Sequence, residues 1–236
     1  MELWSGVLAR YIDRSAVLDV GSGIGSWSEL IAERFDAEVI GVEPSSRMRE
    51  VAEREHSHPR VRYREGSAEQ IPLADASSDV AFLSYVIHHV GDRAACGREL
   101  RRVLRPGGLV LVRSTLREAL PRVPLFDFFP EALQVAEERM PTRATVTGLF
   151  EDHGFELLVD ETIEQEMAPD LRAYYERVKP RAISTLELLG DAEFERGLER
   201  LRLAAERERD PEPVSEPVNL LVFRREGPPT SPPPGR

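Results

Sequence analysis

The chain has a single cysteine, Cys96, among 236 residues. No intrachain disulfide can form, and a small secreted domain held by a disulfide framework is excluded. No apolar run approaches the roughly 18–20 residues that a membrane span requires. The opening stretch, MELWSGVLARYIDRS, carries acidic groups where a signal peptide has a basic head. A cytoplasmic protein with no membrane partner is expected. Lysine is almost missing too, Lys179 being the only one among 31 basic residues, and acidic groups outnumber the arginines to give a net charge of -11. Phosphate-backbone binding relies on clustered cationic side chains, so no nucleic-acid partner is expected.

What is present suffices for one sizeable α/β core. Apolar runs Ala16–Val20 and Val39–Val42 flank Ser26–Phe35, where Trp27, Leu30, Ile31 and Phe35 recur at helical spacing, so strand, helix and strand are predicted. A helix follows Ser45 to about His56. Val61–Arg64 and Asp79–Ser84 are expected strands. Arg93–Leu104 places Leu100, Val103 and Leu104 on one helical face, Arg105-Pro106-Gly107-Gly108 ends that helix, and Leu109–Val112 begins another strand. Alternation of this kind implies a parallel, doubly wound sheet. Beyond it, Pro130 starts a helix, Thr142–His153 is a helix stopped by Gly154, and Phe155–Ile163 is a strand. Asp170 to about Arg209 is expected as two helices broken near Leu189-Gly190-Asp191, and Val218–Phe223 as a last strand. The expectation is a single domain, 1–226, with core segments near 15–114, 142–163 and 218–224 and insertions near 115–141 and 164–217. The proline-rich tail, 227–236, is expected to be disordered.

The strongest chemical signal is Val17-Leu18-Asp19-Val20-Gly21-Ser22-Gly23-Ile24-Gly25, a glycine-rich turn between a strand and its helix. Glycines there let the backbone turn tightly and approach a ligand. About twenty residues on, Glu43 ends the second strand, where a carboxylate can accept hydrogen bonds from both hydroxyls of a ribose. Together the two features point to a nucleoside cofactor. In order along the chain, VLDVGSGIG, GVEPS, EGSAEQIPLADASSDVAF, SYVIHHV and RRVLRPGGLVLV resemble class I S-adenosylmethionine-dependent methyltransferases, especially the small-molecule branch related to ubiquinone and menaquinone C-methyltransferases. The resemblance spans about Val17–Val112.

It implies a Rossmann-like, seven-stranded sheet with six parallel strands and a last antiparallel one, Val218–Phe223, and S-adenosyl-L-methionine as cofactor. By the same match Gly21, Ser22, Gly23 and Gly25 hold the methionine part, Glu43 the ribose, and Pro44 and Met48 flank the adenine. Ser67, Ala68 and Glu69 lie at the adenine edge, with Ser67 standing where relatives commonly have Asp. Ser84 and Tyr85, ending the fourth strand, border the cofactor, and Ser78 replaces a usual aromatic. Asp19 has two readings, orienting the glycine loop or approaching the cofactor's ammonium group.

Methyl transfer asks mainly for alignment, because the sulfonium is already an activated electrophile. A base is needed only for some acceptors, and His88 and His89 are the candidates, against the alternative that one of them caps or packs the next helix. His56-Ser57-His58 offers no converging third ligand and is expected as a solvated helix end, so no metal is called for. Phe126, Phe128 and Phe129 are candidates for a hydrophobic substrate wall. The stretch 164–217 exceeds a hairpin loop of about 2–5 residues. Its apolar faces suit a helical lid, with Tyr174 as a substrate contact, or else a homodimer surface. The expected reaction is methylation of a small molecule, such as a secondary-metabolite intermediate. The rival enzyme is a nicotinamide-dependent oxidoreductase, but Gly21-x-Gly23-x-Gly25 departs from G-x-G-x-x-G, and the Tyr175/Lys179 pair lies outside the cofactor half. A non-catalytic S-adenosylmethionine-binding protein is the alternative of a different class.

Overall fold

The computed structural model describes residues 2–227. The tail expected at 227–236 lies, beyond Gly227, outside the described residues. The chain divides into two compact units, one comprising the residues through Ser114, Ala144–Asp160 and those from Leu220, the other Thr115–Arg143 and Glu161–Asn219. The segments expected as insertions into a single domain therefore pack with one another as a second unit.

The first unit is built on strands β1 (Ala16–Val20), β2 (Glu38–Val42), β3 (Val61–Arg64), β4 (Ser78–Ser84) and β5 (Leu104–Ser114). With β6 (Phe155–Ala168) and β7 (Val214–Arg225) they form a seven-stranded sheet in the order β3-β2-β1-β4-β5-β7-β6. Six strands are parallel and one is antiparallel. Val17 pairs with Val39 on one side of β1 and Val80 on the other, and a central strand apolar at every position but Asp19 suits a sheet covered on both faces. Leu18, Val20, Phe82, Leu83, Val110 and Leu111 are wholly buried. Helices α2 (Ser26–Phe35), α3 (Ser46–Glu55) and α4 (Arg93–Val103) supply the crossovers. Ser45 caps α3 by accepting the Met48 N–H at 3.3 Å, and Asp92 caps α4 through the Ala95 N–H at 2.9 Å.

Three boundaries depart from the sequence reading. An N-terminal helix, α1 (Glu2–Leu8), was too short to show periodicity, yet it buries Trp4 and Leu8. The Arg105–Gly108 stretch lies within β5, which begins at Leu104, with a register shift between Ser78 and Val80 and Gly107 at φ 81° absorbing the irregularity. β6 runs on to Ala168 and β7 starts at Val214, because β-sheet hydrogen bonding continues past the point where the apolar pattern ends.

In the second unit a 3₁₀ turn (Arg117–Arg122) precedes α5 (Leu125–Phe128) and α6 (Pro130–Arg139). The stretch expected as two helices holds three: α8 (Leu171–Val178), α9 (Ser184–Glu187) and α10 (Asp191–Arg207); α7 (Arg143–Glu151) belongs mainly to the first unit. Phe129, fully buried, stacks on Phe194 at 5.8 Å, and its ring occupies the space a Cβ at Gly197 would need. Tyr174 is 1% exposed and donates its hydroxyl hydrogen to Glu216 at 2.9 Å. Neither Phe129, expected in a substrate wall, nor Tyr174, expected as a substrate contact of the lid, presents exposed surface to a ligand in this structure. Phe126 and Phe128 are only partly buried against the same core.

Phe129→Ala is expected to cost about 3–5 kcal/mol through lost burial and a residual cavity. Denaturant unfolding tests this, and a loss below about 1 kcal/mol would remove Phe129 from the core.

Candidate active site

The loop after β1 is shaped by three left-handed glycines, Gly21 at φ 66°, Gly23 at φ 55° and Gly25 at φ 89°. A Cβ on Gly21 would stand 2.5 Å from Val86 Cγ2, and one on Gly25 would meet the Tyr63 hydroxyl. At Gly23 no atom lies within 4 Å of that position, so this glycine faces open space. The Gly21 and Ser22 amides donate to the Val42 carbonyl at 2.7 and 3.1 Å, fastening the loop to the end of β2. Gly41 matters for a reason the sequence reading missed. A Cβ there would press on Tyr63 and Ser22, and an isolated strand glycine is the signal of such close approach.

Glu43 follows β2 and is 7% exposed. Its Oε2 accepts the Gly23 N–H at 3.0 Å and its Oε1 accepts the Ser45 N–H at 2.9 Å. A carboxylate has about four acceptor positions, so capacity remains on both oxygens. Arg49 donates to the Glu43 carbonyl at 2.7 Å and to Glu65 at 2.8 Å, holding the turn from outside.

These groups face a cavity of about 340 Å³. Gly21, Gly23 and Glu43 line it with Pro44, Met48, Ser67, Ala68 and Glu69, then Ser84, Tyr85, Val86, His89 and Val90. Glu69 is oriented by accepting the Gly91 N–H at 2.9 Å, and Ser67 by exchanging backbone hydrogen bonds with Gln70 at 3.2 Å. A second recess, lined by Glu65, Gly66, Gln70, Ile71 and Pro72, shares Pro44 and Ser67 with the first. Val86 and Val90 were missed, because an apolar side chain after a strand gives the same pattern whether it packs inside or lines a cavity.

Asp19, Ser22, Gly25 and His88 do not line the cavity. Asp19 is 2% exposed and accepts the Ser28 hydroxyl at 2.6 Å, which ties β1 to the first turn of α2 and favours orientation of the loop region over ligand contact. Burial pushes its pKa up to about 7; the Ser28 hydrogen bond opposes that shift and the negative charge of Glu43 adds to it. The folded pKa exceeds the ordinary 3.8, so the native state holds more protons between those values. This group's contribution to stability therefore falls as pH rises from about 4 to about 7, by on the order of 4 kcal/mol at about 1.4 per pKa unit. Asp19→Asn keeps an acceptor for Ser28 and cannot ionise. Its stability relative to wild type is expected to be greater at about pH 8 than at about pH 4.5. Unfolding curves at both values check this, and a pH-independent difference would contradict the buried-acid account.

The His88 and His89 rings lie 4.0 Å apart, tilted by 43°. His89 is exposed and lines the cavity, whereas His88 is half-buried and does not. The His89 amide closes a turn onto the Val86 carbonyl at 2.7 Å. Elsewhere His56, expected as a solvated helix end, is held between Glu29 at 2.7 Å and Ser26 at 3.2 Å. Among the described residues no group of three His, Cys, Asp or Glu could hold a metal ion, and no helix is long and apolar enough to cross a membrane.

Comparison with known proteins bears on the same segment. Residues 18–112 match the methyltransferase domain family. A protein of Mycolicibacterium smegmatis named as an S-adenosylmethionine-dependent methyltransferase is 37% identical over 144 residues, 60% of this chain and 52% of the relative. A ubiquinone/menaquinone biosynthesis C-methyltransferase of Rubrivivax gelatinosus is 41% identical over 96 residues, 40% of this chain and 37% of the relative. The chain spans about half the length of the curated relatives it matches. Among solved structures, a methyltransferase from an antibiotic biosynthesis pathway of Anabaena variabilis superposes with a TM-score of 0.73 at 22% identity, over 94% of this chain and 96% of the other. At that identity the likeness establishes a shared fold.

Proposed function

We propose that the methyltransferase domain at residues 18–112 binds S-adenosylmethionine in the cavity beside the glycine loop, and that the chain transfers its methyl group to a small-molecule acceptor. One observation carries this reading: the buried Glu43 carboxylate lines the same cavity as Gly21 and Gly23 and is bonded to the Gly23 amide. The residues suit the cofactor. The open space at Gly23 admits a ligand close to the backbone, and Glu43 retains acceptor capacity for two ribose hydroxyls. Pro44 and Met48 offer apolar surface for a flat base, with Ser67 and Glu69 as polar partners at its edge. When bound, the cofactor supplies an activated methyl on a sulfonium.

The chain's own task is then alignment and water exclusion, which can lower a barrier by about 7–11 kcal/mol in favourable cases. His89, exposed at the cavity, is the candidate to take a proton from an acceptor hydroxyl; His88 is assigned a packing role beside it. The net charge of -11 favours a small molecule over a nucleic acid as acceptor. Titration calorimetry with S-adenosylhomocysteine and with NAD, followed by transfer of labelled methyl groups to a panel of small metabolites, tests the reading. Tight binding of NAD in place of S-adenosylhomocysteine would overturn it, and binding without transfer to any acceptor would leave a non-catalytic binding protein.

A further inference from the structure

Arg113, near the end of β5, is 5% exposed. Its guanidinium stands over three aromatic rings, 4.5 Å from the centroid of Trp4, 5.1 Å from Trp27 and 4.8 Å from Tyr85. Nη1 donates to Ser84 Oγ at 3.1 Å, and the Arg113 carbonyl accepts the Tyr85 N–H at 2.8 Å. Ser84 and Tyr85 both line the cavity. Tyr85 sits at φ 56°, in the left-handed region, which strains a bulky residue and persists only where surrounding contacts impose it.

We infer that Arg113 is a positioning residue, which holds the Ser84–Tyr85 rim of the cavity in its strained conformation and thereby sets how a ligand meets the end of β4. The inference rests on the reading of this cavity as the cofactor site. Every arm of the arrangement converges on one side chain. The planar fork reaches Ser84 while its central carbon lies over the rings of Tyr85 and the two tryptophans, a combination that lysine cannot reproduce. Burial lowers the Arg113 pKa but leaves guanidinium chemistry intact, so the cation persists across the working pH range. Trp4 and Trp27 are the only tryptophans of the chain, so its intrinsic fluorescence reports on this cage directly.

The experiment is a double-mutant cycle between Arg113→Met and Tyr85→Ala, read as S-adenosylhomocysteine affinity by calorimetry. Each single variant is expected to weaken binding about tenfold, the order of a desolvated cation–π contact with a charge-assisted hydrogen bond. Because Arg113 acts through Tyr85, the double variant is expected to be no weaker than Tyr85→Ala by more than about twofold. Additive losses would overturn the inference. Should Arg113→Met fail to fold, Arg113→Lys keeps a cation against the tryptophans and loses only the fork. The same non-additivity with Tyr85→Ala, and a shifted tryptophan emission maximum, are then expected. A wild-type protein that does not bind S-adenosylhomocysteine would defeat the cofactor reading alone. The positioning claim is then decided by a crystal structure of the Arg113 variant: Tyr85 leaving the left-handed region supports it, and Tyr85 unmoved overturns it.

Discussion

Glu43→Ala is expected to weaken S-adenosylmethionine binding about ten- to hundredfold while the protein stays folded. Hydrogen bonds to a charged acceptor contribute about 1.5–3 kcal/mol, and about 1.4 kcal/mol is a tenfold change in affinity. On the proposed reading the alanine removes the acceptor for the ribose, and it strips the Gly23 and Ser45 amides of their partner at 3.0 and 2.9 Å. The second loss loosens the glycine loop, so the apparent affinity falls through loss of preorganisation as well as loss of contact. Glu43→Gln separates the two effects. The amide oxygen can serve one of the backbone donors while the NH₂ group repels the other, so an intermediate affinity is expected. Calorimetry on the three proteins checks the order, and an affinity for Glu43→Ala equal to wild type would take Glu43 out of the site.

Gly23→Val is expected to abolish detectable binding. Two independent costs act together. At φ 55° a β-branched side chain is strained wherever it sits, and it would fill the open space beside Gly23 that the proposed cofactor site requires. Gly23→Ala provides the graded control, since it adds one methyl group to the same space and is expected to bind measurably but weakly. Circular dichroism establishes that the variants fold. A folded Gly23→Val protein that still binds S-adenosylhomocysteine would show that the cavity beside this loop is not the cofactor site. The contrast with Gly21 is informative, because there a Cβ meets Val86 and substitution damages packing before it touches any ligand.

Much of the lining of the cavity beside the glycine loop was legible from residue types and their order. Gly21, Gly23, Glu43, Pro44, Met48, Ser67, Ala68, Glu69, Ser84 and Tyr85 were all expected there, and all line one cavity. The packing of the second unit was far less legible. Phe129 and Tyr174 have the hydrophobicity of a binding wall, but they serve as the buried centre of the second unit. Among the histidines, adjacency in sequence made His88 and His89 equal candidates, and only the turn that follows β4 exposes His89 to the cavity.

By itself the sequence determined most of the first unit's strands and helices and the glycine loop. Strand and helix periodicities are local, and three glycines in five residues permit left-handed backbone conformations that other residues resist. Tertiary structure decided which groups meet. Glu43 reaches the Gly23 amide across 20 residues because β2 pairs in register beside β1. Arg113 gathers Trp4, Trp27 and Tyr85 because β4 and β5 are neighbours, and because the helix bearing Trp4 and the one bearing Trp27 pack against that part of the sheet. Neither meeting leaves a periodic trace in the chain, because each depends on strand order and register, and those are set by the packing of the whole sheet rather than by nearby residues.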